Sequence, residues 1–214
     1  MTDQQQIEYY SGLLAKHGDN YLSLDWKSPD SQAARFAVLK EIFLYGKKGV
    51  NLSLLDVGCG FGDLYGYLKK QKLLNQHRID YTGYDIAPKL LEVAQKKYPE
   101  ARFQLLNILD EQKIPTYDYL FCSGTLNLRL TDLESHQTFV REFITKMFEL
   151  ANCGVAVNFL SAGEAGVEQT KQLNLGRYYY FRPDEVVDFC RHLTSRYILR
   201  HDYFPGDFTL FLLK

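Results

Sequence analysis

No apolar run in the chain approaches the ~18 residues a membrane-crossing helix needs. The N-terminus, Met1-Thr2-Asp3-Gln4-Gln5-Gln6, has no basic-then-apolar signal pattern. A cytoplasmic protein without a membrane segment is therefore expected. Cys59, Cys122, Cys153 and Cys190 form no C-x-x-C pair, which argues against a disulfide or zinc framework and for reduced core thiols. Neither sign of charge dominates: 25 Lys and Arg stand against 26 Asp and Glu, so no global field favours nucleic acid or an anionic membrane. His17, His77, His136, His192 and His201 are scattered. No metal site and no unmistakable general base is read from them. What is present is 46% hydrophobic content over 214 residues, enough for one substantial core, and a single domain over 1–214 is expected.

The chain is organised around Leu54-Leu55-Asp56-Val57-Gly58-Cys59-Gly60-Phe61-Gly62-Asp63. Leu52, Leu54, Leu55 and Val57 read as a strand buried on both faces of a parallel sheet. The glycines then provide a sharp turn that a ligand's atoms can approach. Next comes a helix carrying Leu64, Tyr67 and Leu68 inward, whose amino end would face the ligand. The dinucleotide fingerprint G-x-G-x-x-G fails, because the third position after Gly60 is Asp63. Asp56 would also repel a pyrophosphate, whereas it suits a ligand with a cationic amino group. A second strand, Ile79–Tyr84, ends at Asp85, 25 residues after Gly60. A carboxylate there can accept both hydroxyls of a ribose, or cap the next helix, or do both.

Asp56, Gly58 and Gly60 in a D-x-G-x-G pattern, followed by Asp85 within Gly83-Tyr84-Asp85-Ile86, resemble the class I S-adenosylmethionine-dependent methyltransferases. Trp26, Gln32, Arg35 and Phe36 resemble a group of small single-domain members without an assigned substrate. The resemblance implies a Rossmann-like, doubly wound sheet of seven strands, mostly parallel with an antiparallel last strand, and helices on both faces. It implies S-adenosyl-L-methionine as cofactor, held at Asp56, Gly58, Cys59, Gly60, Asp85 and Ile86. Asn107-Ile108 falls where the family commonly has Asp and an apolar residue around the adenine; Asn107 keeps an acceptor and loses the charge. Ser123 is a backbone contact in the turn after the fourth strand. Arg35 has two readings, a partner for the cofactor carboxylate or a solvated helix arginine.

Further along the chain, Ile7, Tyr10, Leu13 and Leu14 predict a short amphipathic helix ending near Gly18. Pro29-Asp30-Ser31 opens a stronger one to Tyr45. Together, residues 1–48 are expected to form a helical cover. A helix from Pro88 carries Leu91, Ala94, Gln95 and Tyr98 on one face, and Ala101–Leu106 is a third strand. Tyr117–Ser123 is the fourth, Leu133–Asn152 a long helix, and Val155–Leu160 the fifth strand. The glycine-bearing stretch Ser161–Gly176 reads as a mobile insertion over the site, within a substrate-lid segment 161–181 that ends in a packed extended run or stacking surface at Tyr178–Phe181. A helix from Arg182 carries Val186, Val187, Cys190 and Leu193 inward. Tyr197–Tyr203 and Phe208–Leu213 close the sheet as an antiparallel pair.

Substrate residues are sought at Trp26, which is equally readable as a core plug, and at Asn127, Asn158 and Tyr178. Neither the Asn/Asp-Pro-Pro-Tyr/Phe tetrapeptide of many amino-methylating enzymes nor the Pro-Cys dipeptide of cytosine C5 enzymes occurs. A small-molecule acceptor is the expectation, with no catalytic residue assigned. Two other classes share such a turn: a nicotinamide-dependent oxidoreductase and a cofactor-binding protein without catalysis.

Overall fold

Alternation along the strands builds two cores. In a strand, neighbouring side chains point to opposite faces, so an unbroken apolar run supplies both sides of a sheet at once. Leu55, Val57, Leu120, Cys122, Val155 and Val157 face one layer with Phe143, Ile144 and Met147. Leu54, Tyr119, Phe121 and Ala156 face the other, with Phe36, Leu39, Leu64 and Leu68. A third cluster, Phe61, Ala87 and Leu90, receives Ile7, Tyr10 and Leu14 at the carboxyl edge of the sheet.

The structure is a computed structural model that describes residues 3–45, 51–129, 131–163 and 165–214, without the side chains of Val167 and Glu168. Residues 1, 2 and 46–48 of the expected cover and residue 164 of the expected insertion lie outside the described residues. The strands are β1 Ser53–Val57, β2 Asp80–Asp85, β3 Arg102–Leu105, β4 Tyr117–Ser123, β5 Ala151–Leu160, β6 Tyr197–Arg200 and β7 Asp207–Leu213. Their order is β3-β2-β1-β4-β5-β7-β6. The β1–β2, β1–β4, β2–β3 and β4–β5 pairs are parallel. β7 runs antiparallel to both β5 and β6. The expected doubly wound class is what is found, and the strand order reverses between β1 and β4, where such sheets open a crevice at their carboxyl ends.

The helices are α1 Asp3–His17, α2 Pro29–Leu39, α3 Asp63–Lys70, α4 Leu73–Gln76, α5 Pro88–Lys97, α6 Leu133–Leu150, α7 Val167–Leu173 and α8 Pro183–Cys190. Ser28 caps α2, accepting from Ser31 N at 3.1 Å, and Pro29 occupies its first turn. No helix of the described residues is long and apolar enough to cross a membrane.

Three expectations are corrected, and one segment gains detail. The α2 pattern does not run helical to Tyr45: Lys40–Leu44 tightens to a 3-10 turn, with Ile42 and Phe43 still buried. On α5, Leu90 takes the inward position expected of Gln95, which is exposed. The strand expected from Val155 begins at Ala151, directly after α6. Ala151 pairs with Tyr117 and Gly154 with Leu213, so cross-strand partners override a local pattern that continues the helix. Finally, the segment 161–181 contains the helix α7.

Candidate functional site

The turn after β1 is built by backbone. Gly58 and Cys59 both donate to the Tyr84 carbonyl of the adjacent strand, at 2.8 and 3.0 Å. Gly58 and Gly60 have φ of 76° and 53°, a region side chains disfavour. A Cβ on Gly58 would meet Thr125 Oγ1 at 2.0 Å, and one on Gly60 would meet Leu24 at 3.0 Å. Backbone alone therefore forms the cradle, between the β4 turn and the N-terminal cover.

Two carboxylates flank it. Asp85 Oδ2 accepts from Gly60 N at 2.8 Å and Oδ1 from Ala87 N at 2.9 Å. The residue thus caps the start of α5 and pins the glycine turn in one act. Its burial raises its pKa against the lowering effect of those amides. Asp56 is buried, accepts from Tyr81 Oη at 2.7 Å, and is pushed up to about 7, chiefly by desolvation.

A cavity of about 180 Å³ opens at this edge. Asp56, Gly58, Cys59, Gly60, Asp85, Ile86, Asn107 and Ile108 all line it, along the ends of β1, β2 and β3. So do Ser123 and Asn127 from the β4 turn, and Trp26, Arg35 and Tyr178 from elsewhere in the chain. Of the expected substrate residues, Asn158 alone is not on the wall. Its Oδ1 accepts from Gly124 N at 3.1 Å behind that wall, and its Nδ2 is buried with no hydrogen-bond partner among the described residues. Ser123 Oγ is likewise buried and has no partner among the described residues.

Several side chains hold roles the sequence did not reveal. Arg35 is not a solvated arginine: it is buried, its Nε and Nη2 donate to the two oxygens of buried Asp207, both at 2.7 Å, and its guanidinium lies 4.5 Å from the centre of the Trp26 ring. Trp26 in turn lies where a Cβ on Gly124 would touch it at 3.3 Å, so it is at once a core plug and a cavity wall. Asn107 donates through Nδ2 to Asp3 and Asp110 and accepts from Leu109 N at 3.0 Å. Through Asp3 and Tyr10, α1 lies across the cavity mouth. Asp25 was missed altogether; its Oδ2 accepts from Tyr9 Oη at 2.5 Å and Tyr178 Oη at 2.8 Å. The Tyr178–Phe181 run is a packed extended segment, with Tyr179 and Phe181 buried and Asn174 bonded to both the N–H and the carbonyl of Tyr180. Among the described residues no group of His, Cys, Asp and Glu is placed to hold a metal ion.

Residues 55–146, from β1 into α6, match the family described as "Methyltransferase domain". That match and the similarities that follow support a class I S-adenosylmethionine-dependent methyltransferase. This methyltransferase is 29% identical, over 76% of its own length and 93% of the relative's, to the protein of Mycobacterium tuberculosis (strain ATCC 25618 / H37Rv) named "Putative methyltransferase Rv1506c". In fold it is similar to the magnesium protoporphyrin IX methyltransferase of Synechocystis PCC 6803 with bound S-adenosylmethionine. The TM-score is 0.66 at 17% identity, over 100% of this chain and 98% of that one. The N-methyltransferase NodS of Bradyrhizobium japonicum WM9, in complex with S-adenosyl-L-homocysteine, aligns with a TM-score of 0.64 at 15% identity, covering 100% of this chain and 98% of that one. The methyltransferase assignment displaces the nicotinamide-dependent and non-catalytic alternatives.

Proposed function

We propose that the cofactor lies along the ends of β1, β2 and β3, and that a small-molecule acceptor enters past β4, between Trp26, Asn127 and Tyr178. The residues fit the cofactor. The glycine cradle has no room for an added Cβ at Gly58, Ser123 Oγ has no partner among the described residues, and the Asp85 carboxylate keeps acceptor capacity beyond its backbone amide bonds. In this reading Asp85 accepts from the ribose hydroxyls, Asn107 and Ile108 bound the adenine, and Asp56 attracts the amino group across the cradle of Gly58, Cys59, Gly60 and Ile86. Arg35, with Nε and Nη2 engaged by Asp207, has Nη1 left for the carboxylate. When bound, the cofactor supplies an electrophilic methyl group on a sulfonium, and the protein's task is alignment and exclusion of water. Leu24, Trp26 and Tyr10 perform that exclusion at the mouth. The observation that carries the reading is the joint attachment of Gly60 and Ala87 to Asp85 at the point where the strand order reverses. Calorimetry with S-adenosylmethionine and S-adenosylhomocysteine tests it, and no heat from either at millimolar concentration would sink it. We read the protein as one domain acting in the cytoplasm, consistent with its four free cysteines.

Two further outcomes follow from the same geometry. Asp56 holds its proton up to about pH 7 in the folded chain, against an ordinary value of 3.8. The native state therefore binds more protons than the unfolded one across pH 4 to 7, and this residue's contribution makes stability fall as pH rises through that window. A cationic amino group beside it favours the carboxylate and reverses that trend. Affinity for S-adenosylhomocysteine should rise from pH 5.5 to 7.5 with release of a proton, and Asp56→Asn should flatten the rise. Calorimetry in two buffers of different ionisation enthalpy measures both; a pH-independent affinity in the parent protein removes Asp56 from the amino group.

Hydrogen exchange addresses the cover. With S-adenosylhomocysteine bound, protection should increase at the glycine turn, across Tyr9–Phe36 and across Ser161–Tyr180, because closing elements order around the ligand. An increase confined to the turn and Asp85 would make α1 and α2 scaffold.

A further inference from the structure

The cavity wall carries a further carboxylate that the cofactor reading leaves unused. Asp25 faces the cavity beside Tyr10, Trp26 and Tyr178. Its Oδ2 receives both phenols, Tyr9 and Tyr178, and among the described residues no donor reaches Oδ1. Those two donors come from separate elements, α1 and the extended segment after α7, so the carboxylate is held in orientation from two sides. Both donors are neutral, and burial together with Asp25 keeps the Tyr9 and Tyr178 hydroxyls protonated by raising their pKa.

The balance of charge around this carboxylate is negative. Of the cations lining the cavity, Arg35 is already paired with Asp207, and Lys27 is exposed, where water screens it. Arg177 is the cation bonded nearest to this group, donating to Tyr9 Oη at 3.2 Å and lying 5.2 Å from the centre of its ring. It too is exposed, so solvent screens its effect on the cavity side. A carboxylate with one oxygen left open, in a wall that also carries the aromatic side chains of Trp26, Tyr10 and Tyr178, is a set of groups suited to an organic ammonium, which gains from both the charge and the rings. A carboxylate or phosphate ligand would meet repulsion there.

We propose that Asp25, positioned by Tyr9 and Tyr178, binds a positively charged amine of the methyl acceptor, so that the substrate class is a small amine with an apolar body. This inference rests on the cofactor reading above, since it assigns to the acceptor the space that the cofactor leaves.

The test uses the full chain saturated with S-adenosylhomocysteine and two probes that share a phenethyl body and differ in the charged group, phenethylamine and 3-phenylpropanoate, titrated by calorimetry. The parent protein should bind the amine at least about tenfold more tightly than the acid, a discrimination of the size one partly screened charge pair supports. Asp25→Asn should reduce that ratio to about one while leaving S-adenosylhomocysteine affinity within about twofold. Tyr178→Phe, which keeps the ring and removes only the orienting hydroxyl, should reduce the ratio by an intermediate factor and retain the parent melting temperature. No preference for the amine in the parent protein, including no binding of it at millimolar concentration, overturns the proposal. So does an unchanged ratio in Asp25→Asn. A loss of S-adenosylhomocysteine affinity in Asp25→Asn would mean that the carboxylate serves the cofactor, which also overturns it. Failure of the parent protein to bind S-adenosylhomocysteine is visible in the first titration, before any amine is added, and is the failure of the cofactor reading itself.

Discussion

Replacing Asp207 by alanine should destabilise the protein by about 3–5 kcal/mol, the cost of leaving a buried charge without its partner. Arg35 and Asp207 are 8% and 1% exposed, so neither can recover much hydration once the other is gone. The guanidinium is committed along one edge, by Nε and Nη2, and by one face to Trp26. Removing Asp207 leaves two donors unsatisfied and frees the arginine to swing off the indole that forms the cavity wall. Urea unfolding measures the loss, and the double variant Arg35→Met with Asp207→Leu should recover most of it, since an apolar pair of similar volume carries no desolvation cost. A loss below about 1 kcal/mol for Asp207→Ala would mean that water reaches the guanidinium and that the pair contributes as little as a surface one.

Asp85→Ala carries the largest expected effect on ligand binding. The substitution removes acceptors for the ribose hydroxyls and strips the partners from Gly60 N and Ala87 N, each an unsatisfied buried group worth about 1–3 kcal/mol. The turn that Gly60 shapes is thereby loosened as well. Affinity for S-adenosylhomocysteine should fall by roughly a hundredfold or more, counting about tenfold for each 1.4 kcal/mol. Calorimetry at saturating protein is the measurement. Asp85→Asn, which can still accept from one amide, should lose less. Affinity within threefold of the parent in Asp85→Ala would reduce the residue to a helix cap.

The part of the cavity wall around the glycine turn was legible because it is local in sequence. A strand, a glycine turn and a helix start are a contiguous stretch, and their roles follow from burial on two faces and from positive φ at Gly58 and Gly60, properties a residue carries with it. Asp85 was legible for a similar reason, since one strand–helix–strand repeat sets its distance from the turn. The strand Tyr117–Ser123 likewise followed from its apolar run and the antiparallel closing pair from its tight connection, while the class of the sheet was implied by the family resemblance.

Contacts between segments far apart in the chain were not legible. Arg35 and Asp207 are 172 residues apart, and nothing near either names the other. Asp25 finds Tyr178 across 153 residues only because α1, the turn before Trp26 and the segment after α7 meet over the same sheet edge. The start of β5 at Ala151 was decided the same way, by Tyr117 and Leu213 offering backbone partners to residues whose local pattern continued the helix. Side-chain periodicity reports which face a residue turns to the core. Which charge it meets there depends on how the elements pack, and only the tertiary structure decides that.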